Sequence, residues 1–192
     1  PTVGAAWKGV AAGSQGRVGW FSCQTYKHVT AGEGGLLITD DAEVAARAIM
    51  LSGSYMLYER HAAGPGPEAF ATIKYETPNI SGRMDNLRAA ILRPQLKRLD
   101  AQCAAWTARY RGVEAGLKGT PGVSLIDRPE AEDFVGSSFQ FRLDGWSEAK
   151  IRSYLDRCGA RGVELKWFGA AEPSGFTSRY DSWHYAQPAP LP

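Results

Sequence analysis

Residues 17–41 of the chain are RVGWFSCQTYKHVTAGEGGLLITDD. Val18, Trp20 and Ser22 alternate with Gly19, Phe21 and Cys23. This is the pattern of a short strand, and the apolar residues in both sets predict burial on both faces. Lys27 follows five residues after Ser22. A Gly32-Glu33-Gly34-Gly35 turn comes next, and Leu36–Thr39 has the pattern of a second strand. This order places one primary amine just beyond a strand end and beside a hydroxyl, where it can condense with an aldehyde to a Schiff base. The residues alone leave a plainer reading open. Lysine is mostly a solvated surface charge, and a glycine turn is ordinarily only a tight turn. The segment is not a P-loop, because the closing Lys-Ser/Thr is absent.

Outward from this segment, bulk composition sets bounds. The 192 residues are 44% hydrophobic and 22% charged, ordinary for one or two globular domains with a real core. A net charge of +2 gives no electrostatic case for nucleic acid or acidic membrane surfaces. No apolar run approaches the ~20 residues that span a bilayer, and no signal peptide is visible. Cys23, Cys103 and Cys158 are far apart, which argues against a disulfide framework or a zinc site and for a reducing cytoplasm. His28, His61 and His184 make no metal-ligand spacing, so no metal is expected. The chain starts at Pro1 without Met and stops in Ala-Pro-Leu-Pro, as an internal piece of a longer protein would.

Further elements follow from periodicity. Residues 1–16 are Gly/Ala-rich and are expected to be loop. Asp40, with Glu43 three residues on, predicts a capped helix whose inner face is Val44, Ala48 and Leu51. Residues 52–82 carry Gly53, Gly64-Pro-Gly-Pro67 and Pro78 without a sustained period. Their aromatics (Tyr55, Tyr58, Phe70, Tyr75) predict an ordered loop over a site or at a subunit contact. Leu92, Leu96, Leu99, Cys103, Trp106, Tyr110, Val113 and Leu117 form one apolar stripe on a long helix. Pro94 should kink that helix near residues 90–94, a natural joint between domains. Strands are expected at 123–127, 138–143 and 163–167. Between the last two, Ser147 caps a helix with Ile151, Tyr154, Leu155 and Cys158 inward and Gly159 near its end. From Gly169 the chain has a loop-like, aromatic character.

FSCQTYKHVTAGEGGLLITDD resembles the DegT/DnrJ/StrS aminotransferases, the pyridoxal phosphate (PLP)-dependent sugar and cyclitol aminotransferase family. The shared pattern is Phe-Ser, four residues, Lys, a Glu-Gly-Gly turn, and a strand ending in Thr-Asp. TPNISGRMDNLRAAILRPQL, residues 77–96, is similar to the family's Asn-x-Arg-Met…Ala-Ala…Gln-Leu helix start. The likeness extends loosely over nearly the whole chain.

The resemblance implies an α/β fold of PLP fold type I. Residues 1–93 would be the C-terminal part of the large-domain sheet, and residues 94–192 a long kinked linking helix and an incomplete small α+β domain. It implies that Lys27 forms the internal aldimine and shuttles a proton, that Ser22 binds the PLP phosphate, and that Gln24 lies near the cofactor. It further implies that residues entering the long helix approach the phosphate of the neighbouring subunit's site. The common Asn-Tyr-Arg-Met is here Asn79-Ile80-Ser81-Gly82-Arg83-Met84. Arg83 aligns through Met84, and either Asn79 or Ser81 takes the asparagine's place. Tyr55, Tyr58, Arg60 and His61 could reach substrate or pack at an interface. The implied function is transfer of an amino group from glutamate or glutamine to a keto-sugar nucleotide or keto-cyclitol, in a cytoplasmic homodimer. The rivals are a non-catalytic subunit and a PLP-dependent sugar dehydratase. The Asp for the pyridine nitrogen and the group that stacks on the ring are expected upstream of Pro1.

Overall fold

A computed structural model describes residues 2–54 and 56–170. The chain divides into two compact units. One holds the residues up to Lys118 with Ile126–Gln140, and the other holds Gly119–Leu125 with the described residues from Phe141 on. In chain order the strands are β1 (Ala6–Trp7), β2 (Val10–Ala11), β3 (Gly19–Ser22), β4 (Gly35–Ile38), β5 (Val123–Leu125), β6 (Glu132–Asp133) and β7 (Phe141–Leu143). The α-helices are α1 (Ala42–Leu51), α2 (Ile73–Glu76), α3 (Asn86–Lys97), α4 (Leu99–Leu117) and α5 (Glu148–Gly159).

In the first unit, β1 and β2 form a hairpin turned by Lys8 and Gly9, both with positive φ. β6 pairs antiparallel with β1. Residues 1–16 are therefore not simply loop; two-residue strands leave no alternation to detect. β3 and β4 pair antiparallel with Ser22 opposite Gly35 and Trp20 opposite Leu37. Burial of β3 on both faces does not hold, since Trp20 is 65% exposed. Its ladder has only two strands, and nothing among the described residues covers that face.

The cap of α1 is Asp41, not Asp40. Its carboxylate accepts from the Val44 N–H at 3.0 Å and from Arg17 Nε at 2.6 Å. Both contacts hold its carboxyl below the usual range, the Val44 bond most strongly. The inner face is correspondingly rotated to Ala46, Ile49 and Met50, which pack against Phe70 and Ile73. Phe70 and Ile73 come from the 52–82 segment. It is ordered by 3₁₀ turns at Tyr58–Arg60 and Pro67–Phe70 and by α2.

The long apolar stripe lies on two helices. α3 runs through Pro94, and the chain breaks four residues later at Arg98, whose N–H reaches back to Gln95 O at 3.1 Å. Proline removes one backbone bond, but the tightened i→i−3 closure at Arg98 is what ends the helix. The phase slips there. Leu92 and Tyr110 are buried, while Leu96 and Val113 are 41% and 47% exposed.

In the second unit, β5 and β7 pair antiparallel. The Ser147 hydroxyl caps α5 by accepting from Lys150 N–H, and Ile151 is its buried residue. Residues 163–167 form no strand. The Val163 N–H is taken by Cys158 O across the end of α5, and Val163 is half exposed. Tyr55, His184 and the loop-like stretch beyond residue 170 lie outside the described residues. Among the described residues no helix is long and apolar enough to cross a membrane.

Phe70 is fully buried, so Phe70→Ala should destabilise the first unit by about 3–5 kcal/mol, read from denaturant midpoints. A loss below about 1 kcal/mol would place the core elsewhere. The caps also make an acid prediction. The carboxyls of Asp41 and Asp85 are both depressed, so their stabilisation is complete above the unfolded value of about 4 and is lost as pH falls through the folded values. Asn caps without titrating, so Asp41→Asn/Asp85→Asn should flatten the acid limb of stability against pH.

Candidate active site

β3 delivers Ser22 to the start of a tight turn. The Ser22 hydroxyl oxygen accepts from Gln24 N–H at 3.3 Å, Gln24 Oε1 accepts from Tyr26 N–H at 2.9 Å, and Gln24 O accepts from Lys27 N–H at 2.9 Å. Lys27 is exposed, and its amine makes no hydrogen bond or ion pair among the described residues. Beneath it lies Cys23, 1% exposed, packed with Val29 and Leu92. Cys23 N–H donates to Gly34 O, and Cys23 O accepts from Ala31 N–H and the Thr30 hydroxyl, closing the 24–31 loop at its base. Burial pushes the Cys23 thiol up, which makes it a packing residue rather than a nucleophile. Gly34, at φ +133°, could not carry a Cβ without coming within 2.7 Å of Met84 Cε. Met84 thus reaches from the segment before α3 to the glycine turn, and the positive φ at Gly34 is what favours glycine there.

The second group forms around residues 79–83. Asn79 Oδ1 accepts from Ser81 N–H at 2.8 Å, with Ser81 at φ +53°. Arg83 Nη1 donates to Ser52 O at 3.4 Å. Gly53, at φ +96°, leaves the space in which Arg83 Nη1 and Asn79 Oδ1 lie. Asp85 then caps α3 through Arg88 N–H at 2.9 Å and pairs with the Arg88 guanidinium. The structure thus brings Ser22, Gln24 and Lys27 together on one turn and Asn79, Ser81 and Arg83 together on another. Among the described residues no hydrogen bond joins the two groups; Met84 meets the first through the cluster around Cys23. Of the loop candidates, Tyr58 packs on Phe70 with ring centroids 4.6 Å apart, while Arg60 and His61 are exposed.

Sequence reasoning missed three residues here. His28, next to Lys27, stacks on Trp106 at 4.8 Å and shares a 2.5 Å hydrogen bond with Ser137. Gln95 reaches the lysine loop from α3. Gly53 makes room for Arg83. Adjacency to Lys27 could have marked His28, and the Gln-Leu of the helix-start motif could have marked Gln95; nothing local marks Gly53.

A family profile, described as the DegT/DnrJ/EryC1/StrS aminotransferase family, matches residues 1–164. The chain belongs to this family. A dTDP-3-amino-3,4,6-trideoxy-alpha-D-glucose transaminase from Streptomyces venezuelae is 30% identical over 94% of this chain and 46% of its own length. An L-glutamine:scyllo-inosose aminotransferase from Streptomyces griseus is 38% identical over 54% of this chain and 24% of its own. The crystal structure of S. venezuelae DesV in complex with a ketimine intermediate superposes with a TM-score of 0.63 at 30% identity, over 84% of this chain and 39% of that one. The fold is thus part of the PLP fold type I α/β architecture, and the chain spans about half the length of these relatives or less.

The family's cofactor is PLP, and the residues present fit it. Among the described residues the Ser22 oxygen is engaged only as an acceptor, leaving its O–H to donate to a phosphate. Among the same residues, Lys27 offers a free amine, and Arg83 is held by one long bond.

Gly53→Ala should loosen the 79–83 turn. Gly32, at φ +84° with nothing near its Cβ position, supplies the control for backbone strain alone. Gly53→Ala should cost at least about 1 kcal/mol more than Gly32→Ala in chemical denaturation. Equal costs would mean that Arg83 and Asn79 do not depend on that space.

Proposed function

We propose that this chain is part of an aminotransferase that moves an amino group from glutamine or glutamate to a keto-sugar nucleotide or keto-cyclitol. The observation that carries the proposal is Lys27, an amine without a partner among the described residues, five residues past the end of β3 and within the family's Ser…Lys…Glu-Gly-Gly order. Lys27 would hold PLP through its amine and Ser22 through its hydroxyl, with the Gln24 carboxamide nitrogen facing the cofactor. Bound there, PLP supplies an electron sink for the substrate's Cα–H bond. Lys27 Nζ, once freed by the amino donor, would be the base that takes the donor's Cα proton and delivers it to C4′ of the cofactor.

We assign Asn79, Ser81 and Arg83 to the phosphate of a second subunit's site in a homodimer. The lack of any hydrogen bond between them and the lysine turn among the described residues supports this, as does the preference of a dianion for an arginine beside a helix start. Residues 1–93 then serve the cofactor domain and 94–192 the linking helix and small domain. Cys23, Cys103 and Cys158 are free, which suits a reducing cytoplasm. The two relatives' names supply the acceptor classes, a nucleotide sugar and an inosose.

The test is to incubate the full-length protein with PLP, glutamine and either a keto-sugar nucleotide or an inosose. Amine product is expected, and Lys27→Ala should lose at least about 10³-fold in rate. A deoxy product would make the protein a dehydratase. No product from any keto acceptor, with no cofactor band, would make it a non-catalytic subunit.

A further inference from the structure

We infer that Gln95 is the positioning residue that sets where Lys27 stands; the inference rests on the role just assigned to Lys27. Gln95 lies on α3 and is half-buried, facing the loop where the apolar stripe would have placed Leu96. Its Oε1 accepts from Thr30 N–H at 3.0 Å, and its Nε2 donates to Thr30 O at 2.8 Å and to Ile91 O at 2.9 Å. The carboxamide thus pairs with Thr30 as a neighbouring strand would. Both its N–H groups are spent on carbonyls, so its orientation is fixed; a flipped amide would set oxygen against oxygen.

Thr30 is three residues beyond Lys27, and its hydroxyl ties the loop back to Cys23 O at 3.3 Å. One residue therefore closes the lysine loop on itself and fastens it to α3. Among the described residues no other bond uses the Thr30 N–H or C=O, so losing Gln95 leaves two half-buried backbone groups unmatched. One turn earlier on α3, Leu92 packs under the same loop against Cys23 and Val29. That apolar contact holds the loop down but is non-directional. The Gln95–Thr30 pair adds what it lacks, a fixed register between loop and helix. An amine that moves a proton needs that register, because a misplacement of about 1 Å can cost about 10²-fold in rate.

The experiment uses the full-length protein with two variants. Gln95→Met keeps length and helix propensity and removes all three bonds. Gln95→Glu keeps the acceptor for Thr30 N–H and loses both donors. Hydrogen exchange is followed without cofactor, and the pH titration of the absorbance band with PLP bound. Gln95→Met should speed exchange in residues 24–31 by roughly fivefold or more, leave the amides around Phe70 unchanged, and shift the titration midpoint. Gln95→Glu should fall between it and the parent, and carries the test if Gln95→Met does not fold. Unchanged exchange in 24–31, or equal acceleration everywhere with an unmoved midpoint, overturns the inference. A band that persists in Lys27→Ala overturns the role of Lys27 instead, whatever the exchange shows.

Discussion

The packing of Leu92 against Cys23 and Val29 is the contact on which the candidate site depends. Cys23 sits between Ser22 and Gln24, and where a strand runs into a turn, neighbouring side chains leave on opposite sides. Burying Cys23 turns its neighbours away from the core. Val29 is buried two residues after Lys27, so the loop is pinned on both sides of an amine that stays exposed. Burial of a leucine contributes about 1.5–3 kcal/mol, enough to seat the loop on α3. Met84, at the other end of α3, joins the same cluster. The helix thereby links the lysine turn to the turn holding Arg83.

Much of the lysine turn was legible in residues 17–41. The alternation gave β3 and β4, and the glycines gave the turn; Ser147 likewise marked α5. What failed did so for physical reasons. Strands β1, β2 and β6 have two residues each, too few to show a period. In Asp40-Asp41 two residues have equal capping chemistry, and Asp41, the one that caps, also pairs with Arg17, 24 residues away. The apolar stripe from Leu92 to Leu117 reads as continuous because a break at Arg98 preserves hydrophobic spacing while changing phase. Gln95 falls in the Gln-Leu of the helix-start motif, but its pairing with Thr30, 65 residues away, has no local signature, and the period expected Leu96 to face inward. The space that Gly53 leaves for Arg83 joins residues 30 apart and has no local signature.

Family membership and local geometry contribute different things. The profile match gives the fold class and cofactor. The geometry shows which groups are free to act. Lys27 has no partner among the described residues, the Ser22 O–H is unspent, and Arg83 is weakly held, whereas Asp85 and Arg88 are committed to capping α3. An exposed amine beside an uncommitted hydroxyl is what a phosphate-bearing aldehyde would take up, and the weakly held Arg83 is free for the phosphate of a second subunit's site.

The most direct measurement is to load the full-length protein with PLP, reduce it with borohydride, digest it, and locate the pyridoxyl group by mass spectrometry. Label on Lys27 and on no other lysine is the expected result. Label on Lys8, Lys74 or any other lysine, or spread evenly over the exposed amines, would contradict the assignment of Lys27.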